Sequence, residues 1–184
     1  MSQFQSTSVT VTSAQACELP DDALLRRYLG GGSYADCYVV ELARPVSHAA
    51  YVEAFYTTAV FKLERLLLSW FVARPSTDAQ VTELASGKIA SFAAWNVEAR
   101  GINQILLADF QGRTRSWLMS APDPDHRTTR LFFGSAVMPI VDRRSGQARM
   151  GAAFRTLLGF HKLYSRVLLR AAVARLVRSR PSER

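Results

Sequence analysis

The feature that most constrains the fold is a double change of hydrophobic period. Between residues 47 and 87 apolar side chains recur at helical spacing, from Ile89 to Pro139 they alternate, and from Gly151 to about Val177 the helical period returns. That last stretch is much longer than a mean helix. Helices, then a run of strands, then one long helix describe an α+β chain whose strands form an antiparallel meander, because turn chemistry and not further helices separates them. The expected strands are 34–42, ahead of the helices, and 92–100, 104–110, 113–120 and 128–139 after them. Gly101 and Asn103 divide the first pair of the meander, Gln111-Gly112 suits a two-residue hairpin, and Pro122-Asp123-Pro124-Asp125 makes a longer loop.

Before the meander, Pro20-Asp21-Asp22 opens a short helical pattern through Leu24, Leu25, Tyr28 and Leu29 that Gly30-Gly31-Gly32 ends. Ser47 is placed to cap a helix through Tyr51, Val52, Phe55 and Tyr56. A second helix is expected through Phe61, Leu63, Leu66, Leu67, Trp70 and Phe71 to Pro75, and a third from a Ser76 cap through Val81 and Leu84 to Gly87. Residues 142–150 read as a basic loop. One domain over 18–178 follows, flanked by a disordered tail at 1–17, rich in Ser, Thr and Gln, and a basic tail at 179–184.

At about 100° per residue, the final helix sets Phe154, Leu157, His161, Tyr164, Leu168 and Ala172 on one side and Arg155, Lys162, Arg166 and Arg170 on the other. Arg175 returns to the apolar side, so burial is expected to end before it. The charge follows the same geography. The chain carries 23 basic and 15 acidic residues, and 11 of the basic ones, with a single acid, lie from Arg143 onward. A near-neutral body with a basic end confines contact with nucleic acid or an anionic membrane to that end. All but three of the 23 basic residues are Arg, a bias that suits bidentate anion contacts but that GC-rich codon usage also produces.

No motif asks for a cofactor or a metal. The glycines at 30–32 follow no strand and precede no Gly-Lys-Ser/Thr, so they are not a phosphate loop. No serine lies in a GxSxG elbow, and His48, His126 and His161 are dispersed. Cys17 and Cys37 lack CxxC spacing and a neighbouring His, which indicates neither a zinc site nor a disulfide framework. With no basic-then-apolar leader at the N-terminus, this cysteine usage suggests a reducing, cytoplasmic setting. The most apolar stretch, 59–73, carries Lys62, Glu64 and Arg65 and does not read as a membrane span.

The element order, together with Gly112-Arg113-Thr114-Arg115-Ser116-Trp117-Leu118, Thr129-Arg130-Leu131 and Phe160-His161-Lys162-Leu163-Tyr164, resembles the helix-grip superfamily of START and birch-pollen-allergen proteins (SRPBCC). Within it, these segments look like an uncharacterised bacterial subgroup sometimes fused to short-chain-dehydrogenase-like proteins. The resemblance implies a curved antiparallel sheet wrapped around the long C-terminal helix, and a cavity between them for a small apolar or amphipathic molecule. It supplies no universal catalytic motif, and whether the protein is an enzyme stays open.

The candidate lining residues are His161 and Tyr164 on the helix and Trp95, Trp117, Arg115 and Asp109 on the sheet. A hairpin at Gln111-Gly112 pairs Phe110 with Arg113, Ala108 with Arg115, Leu106 with Trp117 and Gln104 with Met119. Both faces of that ladder are mixed. Trp117 and Arg115 line the cavity in one registration and Asp109 in the other. His161 either meets ligand or is satisfied by a carbonyl, a carboxylate or Tyr164. A cyclase- or hydrolase-like reading needs His161 to share a cavity with Asp109 or Glu98. A third reading is docking on nucleic acid or an anionic membrane through the Arg-rich segment, and nothing in the pattern opposes a homo-oligomer.

Overall fold

The computed structural model describes residues 10–61, 77–141, 148–149 and 152–179, with the side chains of the final helix described at 159 and from 161 onward. The fold is α+β: a curved, open, seven-stranded antiparallel sheet with the C-terminal helix packed against it. The strands are β1 (Gln15–Ala16), β2 (Tyr34–Leu42), β3 (Ser91–Phe92), β4 (Trp95–Gly101), β5 (Gln104–Asp109), β6 (Thr114–Pro122) and β7 (Thr129–Val137), in spatial order β1-β2-β7-β6-β5-β4-β3. A separate two-stranded ladder pairs β8 (Ile140–Val141), just ahead of the expected basic loop, with β9 (Ala148–Arg149), so residues 148–149 of that loop are strand. Its interior, like the expected second helix beyond Phe61, lies outside the described residues.

Strand β2 has the bounds expected from its Tyr, Val and Leu content, and α1 (His48–Tyr56) starts where Ser47 accepts a hydrogen bond from the Ala50 amide. The helix expected from a Ser76 cap is α2 (Asp78–Ala85), capped by Thr77, whose side chain and that of Gln80 satisfy each other's amides reciprocally. The single strand expected at 92–100 is a tight hairpin: Phe92 pairs with Trp95 across Ala93-Ala94, and Ala93 adopts φ 52° to make the turn. Alanine gives no such warning, since this backbone region favours glycine. The short helical pattern after Pro20 closes as a 3-10 helix over Leu24–Tyr28.

Residues 10–16 run along the β2 edge of the sheet, although they fall within the stretch expected to be a tail. β1 pairs with β2, Val11 bridges Leu42, and the Thr12 amide donates to the Glu41 carbonyl at 3.0 Å. A polar composition does not prevent edge pairing, because the ladder uses backbone groups and needs only occasional apolar contacts, here Ala14.

The final helix, α3 (Ala152–Arg178), buries Leu168, Leu169, Ala172, Val173 and Leu176, so burial continues past Arg175. These residues meet Tyr38, Val40 and Leu42 of β2, Leu131 and Phe133 of β7, and Tyr51, Phe55 and Tyr56 of α1. Lys162, Arg166 and Arg170 are exposed, as the outer stripe predicts. Near the helix C-terminus, Arg44 donates to the carbonyls of Leu176 and Ser179 at 2.7 and 3.2 Å, where the helix dipole favours a cation.

The opposite face of the sheet is also covered. Leu106, Trp117, Met119, Phe132, Ala136 and Cys37 form a second core with Ala23 and Leu25 of the 3-10 segment. The sheet is therefore a middle layer, and each face has its own cover.

Candidate functional site

On the face toward α3, one cross-strand row departs from the apolar pattern. Asp36 of β2 pairs with Ser135 of β7, and Ser135 with Ser116 of β6, so three polar side chains lie side by side across neighbouring strands. Strand alternation carries all three to the same face as Tyr38, Phe133 and Leu118. His161 descends onto the row from α3, Tyr34 flanks it on β2, and Tyr56 reaches it from α1.

The contacts are specific. The Ser135 hydroxyl donates to Asp36 Oδ1 at 2.6 Å, and His161 Nε2 lies 2.8 Å from Ser135 Oγ and 3.6 Å from Asp36 Oδ2. With the serine proton committed to the carboxylate, the network assigns Nε2 as the donor to Ser135. The Tyr34 hydroxyl donates to Asp36 Oδ2 at 3.2 Å, and its ring meets the His161 ring edge to face at 6.0 Å. Burial, reinforced by the Asp36 charge, pushes the Tyr34 phenol up, which keeps it a donor. Further along the row, Tyr56 and Ser116 hydroxyls lie 3.1 Å apart in the buried core. The His161 and Asp36 side chains retain 25% and 10% of their exposure, so the cluster is not sealed from solvent.

This is not the constellation that activates a serine nucleophile. A nucleophilic serine needs an imidazole acceptor, with the carboxylate on the far side of the ring. Here the serine lies between Asp36 and His161 and gives its proton to the acid. With the Ser135, Tyr34 and His161 Nε2 protons committed within the cluster, the Asp36 carboxylate and the Tyr34 oxygen are the acceptors it can present to the polar end of a ligand.

The sheet residues singled out from sequence divide between the two faces. Trp117 pairs with Leu106, Ala108 with Arg115 and Gln104 with Met119, as the hairpin predicts, although no Phe110–Arg113 pair closes the ladder. Asp109 closes it instead, accepting from the amides of Arg113 and Thr114 at 2.6 and 3.1 Å. Trp117 and Arg115 face the 3-10 segment, not α3, which corrects the registration that would have them line a sheet–helix cavity. Glu98 faces the same way, as the extra residue of a bulge between Val97 and Ala99. It meets Arg115 at 2.6 Å and the Tyr28 hydroxyl, and Arg115 lies over the Tyr28 ring at 4.7 Å. Neither Asp109 nor Glu98 therefore joins His161, and the acid–base pairs proposed with them do not form.

Trp95 and Tyr164 are half-buried against the core under α3. The Trp95 indole Nε1 is buried and, among the described residues, has no hydrogen-bond partner on the helix-facing side. His48, at the start of α1, also has both ring nitrogens buried with no partner among the described residues, and burial, with Arg100 nearby, lowers its pKa to about 4, so it stays neutral. Sequence reasoning found His161 but missed Asp36, Ser135 and Tyr34. The available signal was Asp36 between Tyr34 and Tyr38 on what alternation makes the buried face of a strand.

Among the described residues no group of three or more His, Cys, Asp or Glu could hold a metal ion, and no helix is long and apolar enough to cross a membrane. Comparison with protein-family models, curated proteins and solved structures finds no match.

Proposed function

We propose that the protein binds a small amphipathic molecule between the sheet and α3, with the polar end of the ligand at Asp36, Ser135 and His161. The observation that carries this reading is a partly accessible acid–serine–imidazole cluster on a sheet face otherwise committed to apolar packing. The C-terminal half of α3 closes tightly on the sheet through Leu168, Leu169, Ala172, Val173 and Leu176, whereas His161 keeps partial exposure. The chain order, with helices between the first long strand and the meander and the long helix last, agrees with the resemblance to the START and birch-pollen-allergen superfamily, whose members enclose ligands in this way.

Native mass spectrometry of the purified protein is expected to show a retained small molecule. His161→Phe keeps shape and apolarity, and should weaken retention roughly 2–12-fold, the loss of one hydrogen bond of about 0.5–1.5 kcal/mol, while the lost Ser135 contact lowers stability by no more than about 1 kcal/mol. A protein that carries nothing and gains no thermal stability from a panel of fatty acids, sterols and aromatic polyketides would overturn the reading. A variant that instead loses about 1–3 kcal/mol of stability with retention intact would make His161 a purely structural group.

A second reading, docking on an anionic surface, is favoured by Lys162, Arg170, Arg175 and Arg178, which are exposed and form no ion pair among the described residues. It predicts binding to phosphatidylglycerol-containing vesicles that weakens steeply with added salt. Absence of vesicle binding at low ionic strength would remove it.

A further inference from the structure

The two cysteines, distant in sequence, are neighbours in the fold. Continuing the β1–β2 register by one position sets Cys17 opposite Cys37, the Cys17 amide donates to the Cys37 carbonyl at 3.0 Å, and the two sulfurs lie 3.2 Å apart. Both are free thiols. Facing residues of a hydrogen-bonded antiparallel pair have Cα atoms about 5.5 Å apart, within the span of roughly 4.4–6.8 Å that a disulfide bridges. Bond formation therefore needs side-chain rotation and little backbone movement.

We propose that Cys17 and Cys37 form a dithiol modification site, which low-molecular-weight disulfides convert to an intramolecular cross-strand disulfide that fastens the N-terminal edge strand to β2. The two thiols are unequal in a way that suits the two steps. Cys17 is half-buried and lines an open cleft of about 690 Å³ with Leu19, Met119, Arg130 and Phe132, while Cys37 is 4% exposed. Once Cys17 loses its proton, the Cys37 S–H can donate to the thiolate, which lowers the Cys17 pKa, and the same contact together with burial raises that of Cys37. The Cys17 thiolate attacks one sulfur of the small disulfide, forming a mixed disulfide and releasing one thiolate, which takes up a proton. Cys37 then gives up its proton and attacks the Cys17 sulfur, forming the Cys17–Cys37 bond and releasing the second small thiol. Two protein thiols are oxidised and one disulfide is reduced to two thiols.

Glutathione disulfide is the probe. Treated wild-type protein is expected to lose two hydrogens by intact mass, to lose both alkylatable thiols, and to yield a Cys17–Cys37 cross-linked peptide on non-reducing digestion. Its Tm should rise and return to the starting value with dithiothreitol. Cys37→Ala should stop at the glutathione adduct on Cys17, and Cys17→Ser should react far more slowly, because its remaining thiol is buried. The inference is overturned by a wild-type protein that keeps both thiols, that accumulates the glutathione adduct without resolving it, or that cross-links only between chains. The wild-type mass and peptide map decide the matter even if a variant folds poorly.

Discussion

Replacing Trp117 by alanine is expected to cost about 3–5 kcal/mol of stability, the range for emptying a fully buried aromatic site. Its side chain is completely enclosed between the sheet and the 3-10 segment, and its ring lies 6.3 Å from that of Phe132. The indole Nε1 donates to Gln104 Oε1 at 2.9 Å, the oxygen that also accepts the Leu24 amide, while Gln104 Nε2 donates to the Asp22 carbonyl at 3.0 Å. One carboxamide thus fastens the segment that covers Trp117 and is itself oriented by Trp117. Urea unfolding of Trp117→Ala and Trp117→Phe separates the two contributions, because phenylalanine retains much of the packing and loses the hydrogen bond. A loss below about 1 kcal/mol for alanine would be incompatible with a fully buried indole.

Gly134→Val should destabilise the protein by about 1–3 kcal/mol through overpacking, the reverse of what strand propensity predicts. A Cβ at Gly134 would lie 2.8 Å from Leu25 Cδ2, 3.0 Å from the Asp36 carbonyl oxygen and 3.0 Å from Trp117 Cε3. Leucine can yield; the β2 backbone and a buried indole yield much less. The cost should therefore fall when Leu25→Ala is added, so that the double variant is more stable than the sum of the two single losses. Strict additivity in chemical denaturation would show that Gly134 and Leu25 do not compete for the same space. Because the Asp36 carbonyl is one of the atoms crowded, the valine should also disturb the carboxylate that meets Ser135 and His161 on the other face.

Much of the fold was legible in the sequence because the elements differ in period. Strand β2 follows from its Tyr, Val and Leu content and the α1 cap from Ser47, while the Leu106–Trp117 register and the inward side of α3 at Leu168 and Ala172 follow from spacing. The facing of the meander did not. Alternation reports a sheet with one wet face, whereas here Leu107 and Leu118 are buried under the helices and Leu106 and Trp117 under the 3-10 segment, which blurs the contrast. That ambiguity carried Trp117 and Arg115 into the candidate lining. His161 was visible as an imidazole on an apolar helix stripe. Its partners were not, because Asp36 and Ser135 are 99 residues apart and only the β2–β7 pairing brings them together. Charge type likewise does not reveal occupation: Asp109 serves a turn and Glu98 an arginine.

The order of strands in the sheet also sets an order of assembly. Strands β3 to β7 are sequential neighbours and can pair as each becomes available, through short local closures. Strand β2 is made long before them, yet its sheet partner is β7, the last strand of the meander. Until β7 exists, β2 presents nine residues of unsatisfied backbone with a buried-type sequence, and only the short pairing with β1 can shield one edge of it. Closing this non-local pair pays loop entropy late, so docking of β2 on β7 is the natural slow step of folding. It is also the stage at which an exposed strand can pair with another chain. The same event assembles Asp36 with Ser135, so this polar cluster comes into being only when the last long-range register is set.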